Sequence, residues 1–142
     1  MSTYRFDKLF TLQEADALLP ALELLVRDLQ TCVRDLRTRI ADLVERDPAL
    51  AGMQLPELVE RYPELSRPAS RMAQLAHEIE SRGCFLKDVD LGLIDFPWEK
   101  DDDEVAFLCW QPGEPRLVAW HPIEGGFAQR RPLPGAGRQY LN

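Results

Sequence analysis

Histidine and cysteine are scarce in this chain, with two and three among 142 residues, and that scarcity excludes much chemistry. Cys32, Cys84 and Cys109 are widely spaced, odd in number and without a CxxC pair, so neither a disulfide framework nor a zinc knuckle is indicated. Positive charge is also in short supply: 17 Lys and Arg against 24 Asp and Glu give a net charge of −7. A chain of that sign has no general attraction to nucleic-acid phosphates or anionic lipid, so neither is expected as a partner. No apolar run approaches the roughly 18 residues of a membrane span. The opening Met1 to Lys8 carries charges where a signal peptide needs an apolar core, and the reading is a soluble cytoplasmic protein. Aromatic residues are nearly missing from 11–82, where only Tyr62 occurs, and concentrate in 83–142.

What is present divides the chain in two. Thr11-Leu12-Gln13-Glu14 has the form of a capping box and opens a helix. Because an interior proline breaks the hydrogen-bond ladder, Pro20 predicts a short helix at 12–18 and a longer one beginning near Pro20. Leu18, Leu22, Leu25, Leu29, Cys32 or Val33, Leu36, Ile40 and Leu43 then recur at steps of three and four, an apolar stripe ending at Asp47-Pro48. Arg27, Asp28, Arg34, Asp35, Arg37, Arg39 and Asp42 read as its solvated faces. The segment 47–68 holds Pro48, Pro56, Pro63 and Pro68 and predicts a connector with one short turn near Glu57 to Arg61. A return helix is expected from Ala69 to Arg82, closed by Gly83.

Beyond Gly83 the pattern shortens to strand-like runs at Cys84–Leu86, Leu91–Phe96, Val105–Trp110 and Leu117–His121, followed by a loose tail after Leu133. The expectation is an α+β fold: a long N-terminal helical hairpin at 1–82 and a small antiparallel β-sheet module at 83–142, within one structural domain.

No complete catalytic constellation emerges, and no catalytic residue is assigned. His77, on the return helix with no cysteine or second histidine nearby, reads as a surface or seam histidine. His121 ends a strand within the same module as Asp90, Asp95 and Glu114, which permits a mixed carboxylate–imidazole cation site if folding converges them. The plainer reading is a histidine bonded to a loop and acids that shape turns. Cys109 alternates with Val105 and Phe107, the pattern of a buried apolar residue and not of an activated thiolate. Arg130 and Arg131, after Gly125-Gly126-Phe127, are placed to hold a carboxylate or phosphate, although neither a P-loop nor a dinucleotide fingerprint is present, and the plainer reading is surface arginines that answer the acidic 83–104 stretch. Asp101 to Glu104 lack the spacing of a calcium loop and read as a solvated acidic turn.

Together, Thr11 to Pro20, the helical hairpin, Leu91-Gly92-Leu93-Ile94-Asp95-Phe96-Pro97, Leu108-Cys109-Trp110, Gly113-Glu114, Trp120-His121 and Gly126-Phe127-Ala128 resemble the bacterial domain of unknown function 2203 family over nearly the whole chain. Gln129 and Arg131 depart from that family's pattern. The resemblance implies that Asp90, Gly92, Asp95, Glu114, Trp120, His121 and Arg130 lie in motif blocks, and it implies no activity.

Two functional expectations follow. The first is a non-enzymatic interaction or scaffold module without a cofactor, in which the apolar stripe joins two copies through Leu22, Leu25, Leu29, Leu36, Ile40 and Leu43. The second is a small-ligand or divalent-metal site, with hydrolysis within its reach, built from Asp90, Asp95, Glu114 and His121 with Arg130 on an anionic ligand. The acidic 83–104 segment adds a docking surface for a basic protein partner.

Overall fold

A computed structural model describes residues 6–134. Thr11 caps the first helix as its sequence requires: its Oγ1 accepts from the Glu14 amide at 3.0 Å, and Glu14 Oε1 accepts from the Thr11 amide at 2.9 Å. Helix α1 then runs unbroken from Leu12 to Arg46, with Pro20 inside it. The expected break at Pro20 is therefore corrected. Asp16 loses its helical donor there, a cost of up to about 3 kcal/mol. Ala15, Leu19 and Leu22 are buried on both sides of the proline, and packing two turns onto one surface outweighs that cost.

The buried face of α1 is Ala15, Leu19, Leu22, Val26, Leu29, Val33 and Leu36, alternating steps of four and three. Leu18 and Leu25 flank this seam and are only partly buried. A 3-10 turn (Pro48–Gly52), helix α2 (Leu55–Arg61) and a second 3-10 turn (Pro63–Leu65) make up the connector. It is more structured than expected because each proline occupies the first or second position of a short element, where an amide has no helical acceptor. Leu50, Leu58 and Leu65 bury against Leu36, with Ile40 and Leu43 packed around them. Helix α3 (Ser66–Glu80) begins earlier than Ala69, and it takes Pro68 in its first turn for the same reason. Gly83, at φ 97°, supplies the left-handed residue that turns the chain into the sheet.

Five antiparallel strands follow in meander order: β1 (Phe85–Asp88), β2 (Leu93–Asp101), β3 (Glu104–Trp110), β4 (Ala119–Pro122) and β5 (Arg131–Pro132). The fold is α+β. Gly92 is not within a strand; at φ 71° it ends the β1–β2 turn, and a Cβ there would stand 2.7 Å from Pro112 Cγ and 2.8 Å from Val26 Cγ1. β5 was not expected, and Leu133 just beyond it donates its amide to the Val118 carbonyl at 2.8 Å. The expected loose tail lies, beyond Pro134, outside the described residues.

Alternation along the strands sorts the sheet into two faces. Ile94, Phe96, Leu108, Trp110 and Val118 join Leu19, Leu22, Val26, Leu29, Leu75 and Ile79 in one core, so helices and sheet share a single apolar interior. A polar row on α1 fastens the same contact. Asp16 Oδ1 accepts from the Leu117 amide at 2.8 Å, Glu23 Oε2 from the Gly113 amide at 3.0 Å, and Gln30 Nε2 donates to the Val89 and Asp90 carbonyls at 3.0 and 3.2 Å. Among the described residues no helix is long and apolar enough to cross a membrane.

Candidate functional site

The opposite face of the sheet carries polar groups where an apolar layer would be expected. Asp95 on β2 pairs in register with Cys109 on β3, and Cys109 pairs with Ala119 on β4, so His121, two residues further along, stands on the same face one diagonal away. All three are buried, with exposures of 3%, 1% and 2% for Asp95, Cys109 and His121. Their donor atoms, a carboxylate oxygen, a thiol sulfur and an imidazole nitrogen, lie within 4.8 Å of one another.

His121 is held at both ring nitrogens. Nδ1 lies 2.7 Å from the Pro122 carbonyl, which only accepts, so Nδ1 carries a proton; Nε2 lies 2.9 Å from Asp95 Oδ2. Burial, the largest influence on this imidazole, pulls its pKa down. Its bonds to Asp95 and the Pro122 carbonyl and the charge of Asp95 outweigh burial, and the pKa ends above the usual histidine value. Burial, aided by the nearby Asp95 charge, pushes the Cys109 thiol up to about 12. Cys109 is thus a thiol at neutral pH and no nucleophile in this state. Rings close around the cluster: Phe107 lies 5.5 Å from His121 between ring centres, and Phe6 meets Phe107 edge-on at 5.6 Å.

A second charged pair adjoins the first. Arg130 Nη2 donates to Glu114 Oε2 at 2.8 Å and Oε1 at 2.9 Å, and it also reaches the Cys109 carbonyl at 3.3 Å. Glu114 Oε1 accepts from the Gln111 amide at 2.7 Å, and the Glu114 carbonyl accepts from Trp110 Nε1 at 2.9 Å, which fixes the loop after β3. The clamp touches Cys109 through the main chain. Arg130 is therefore engaged by the protein's own carboxylate.

Of the five residues singled out in the sequence, Asp95 and His121 meet directly, and Glu114 and Arg130 meet each other beside them. Asp90 does not join them: it stands at the β1–β2 turn, 68% exposed, with its Oδ1 2.6 Å from Arg37 Nη1. The donor that sequence reasoning passed over is Cys109. Its signal lay in the pairing: Asp95 is the one charged residue within the run Leu93 to Trp98, and the antiparallel register sets Cys109 directly opposite it. His77 is exposed on α3, as expected.

Residues 8–133 match the family model described as an uncharacterized conserved protein (DUF2203). The chain belongs to this family. The matched span contains every residue of the buried cluster and of the Glu114–Arg130 clamp, together with α1 and the whole sheet. No curated protein and no solved structure matches the chain.

The residues proposed to join two copies are distributed differently from the site. Leu22, Leu29 and Leu36 are buried inside the chain, and Leu25, Ile40 and Leu43 pack partly buried around the same clusters. The sheet and the connector cover the part of the stripe that α3 does not reach. The acidic 83–104 segment is also divided: Asp88 Oδ1 accepts the Leu91 amide, Asp90 pairs with Arg37 and Asp95 with His121, leaving Asp101 to Glu104 at the β2–β3 turn.

Proposed function

We propose that this protein is a metal-binding module that holds one divalent transition-metal ion on Asp95, Cys109 and His121. The observation that carries this reading is the convergence of three different donor types, from three adjacent strands, into one buried cluster within 4.8 Å. An oxygen, a sulfur and a nitrogen donor form a set suited to zinc, whose bonds to such atoms run from about 2.0 to 2.3 Å. Charge favours the exchange as well. With the histidine donating at both nitrogens and Cys109 a thiol, the cluster holds one positive and one negative charge. A divalent ion that displaces the Nε2 proton and the thiol proton leaves it neutral again, so no uncompensated charge is buried. Pro122 then plays the outer role common to metal-bound histidines, accepting from Nδ1 and fixing which nitrogen faces the ion. Three protein ligands leave a fourth position for water or a small ligand, and the Glu114–Arg130 clamp adjoins that region.

The self-associating hairpin has less support, because the stripe on which it rests already has partners within the chain.

Titration of chelator-treated protein with zinc in a calorimeter, and with cobalt(II) in a spectrophotometer, tests the proposal. One equivalent of each ion is expected to bind, and cobalt is expected to give a thiolate charge-transfer band that disappears in Cys109→Ser and persists in Cys32→Ser. Absence of stoichiometric binding, or a band that survives in Cys109→Ser, rejects the site. Far-ultraviolet circular dichroism confirms that each variant is folded.

A further inference from the structure

Outside the buried cluster, α1 and the β1–β2 turn enclose a groove of about 250 Å³. Arg27, Gln30, Arg34 and Arg37 line it from the helix, Val33 and Val89 contribute apolar surface, and Asp90 supplies its only carboxylate. The spacing of these helical residues, at steps of three and four, puts them along one flank. Three guanidinium groups meet one carboxylate in the lining and a second, Glu23, beside Arg27, which leaves the cleft one positive charge in excess on a protein of net charge −7.

The arginines are not equally engaged. Arg27 Nε bonds Glu23 Oε1 at 3.1 Å and Arg37 bonds Asp90, whereas the Arg34 guanidinium has no ion pair or hydrogen bond among the described residues. Gln30 is committed to the Val89 and Asp90 carbonyls and ties the turn to the helix, so the groove keeps its shape without a ligand. Like charges along one helix flank repel, and an anion between them relieves that repulsion. Guanidinium groups pair best with planar or tetrahedral oxyanions, which accept two parallel N–H bonds at once.

We propose that this groove binds a small phosphorylated ligand, with Arg34 as the principal contact and Arg27 and Arg37 on either side. Asp90 opposes the ligand: it holds Arg37 in position but repels an incoming phosphate. That opposition gives the test two directions. Pyrophosphate is the probe, titrated into the full chain at low ionic strength with chelator present, which keeps the result independent of any metal at Asp95, Cys109 and His121. Saturable binding is expected, weakened about tenfold in Arg34→Gln, the loss of one charge-assisted contact. Asp90→Asn is expected to tighten it. Both positions are exposed, and neither change removes core packing. Absence of saturable binding at millimolar pyrophosphate overturns the proposal, as does binding that Arg34→Gln leaves unchanged or that Asp90→Asn weakens.

Discussion

A buried carboxylate beside a buried imidazole is stable only while each answers the other. Asp95 and His121 lie on one sheet face with almost no access to water, so removing the carboxylate strands the ring. The imidazole can shed its extra proton, which limits the damage. Asp95→Ala is accordingly expected to destabilise the metal-free protein by about 2–3 kcal/mol, and Asp95→Asn, which keeps an acceptor oxygen, by less. Urea unfolding with chelator present measures both. A loss below about 0.5 kcal/mol for Asp95→Ala, the size of an ordinary surface change, would mean the pair contributes nothing to folding. At this scale the sequence was informative about residue types and silent about partners. Asp95 and His121 stood out as polar groups in strand-like runs and Glu114 and Arg130 as charges in the loops beyond, but pairing Asp95 with His121 and Glu114 with Arg130 required the folded sheet. Cys109 was legible as buried, and its inertness follows from the same burial.

Helix α1 shows how local rules and packing divide the work between elements. The capping box at Thr11 and Glu14 and the closing glycine at Gly83 were legible because a few adjacent residues determine them. Pro20 was misread for the opposite reason: its local penalty is real, but Ala15, Leu19 and Leu22 bind both halves of the helix to the core, and nothing within a few residues of Pro20 reveals that. The helix therefore carries a removable strain. Pro20 is exposed, and Pro20→Ala restores a donor for the Asp16 carbonyl without filling core space. The substitution also frees the unfolded chain, which offsets part of the gain. A net stabilisation of about 1–2 kcal/mol is expected, below the full helix-propensity difference of about 3 kcal/mol. Thermal unfolding checks this, and a lowered midpoint would show that the proline is needed where it is. The connector at 47–68 was underestimated in a similar way, since its prolines start short helices as readily as they end long ones.

Across the whole molecule, helices and sheet share one interior, and this changes what an apolar stripe on α1 means. A stripe that joins two copies can be charged to give a folded monomer. One that is consumed inside the chain cannot. Leu29 sits at 1% exposure between α1, α3 and the sheet, so Leu29→Glu is expected to abolish folding, while Leu29→Ala costs about 2–5 kcal/mol. Circular dichroism together with sedimentation distinguishes the two cases, because a folded Leu29→Glu monomer would restore the self-association reading. Composition had separated the aliphatic half from the aromatic half correctly, yet it could not show that the two halves bury each other.

The polar row that fastens α1 to the sheet loops also sets a measure. Asp16, Glu23, Gln30 and Arg37 recur every seven residues; the first two grip the loop between β3 and β4, and the last two grip the β1–β2 turn, meeting at Asp90. One inserted residue within this stretch would rotate all that follows by about 100° and turn the later grips away from their loops. Seven inserted residues would restore the phase but carry them about 10 Å past their targets. The helix is thus a ruler with four marks, and any relative that changes its length between the first mark and the last must also move the loops it measures.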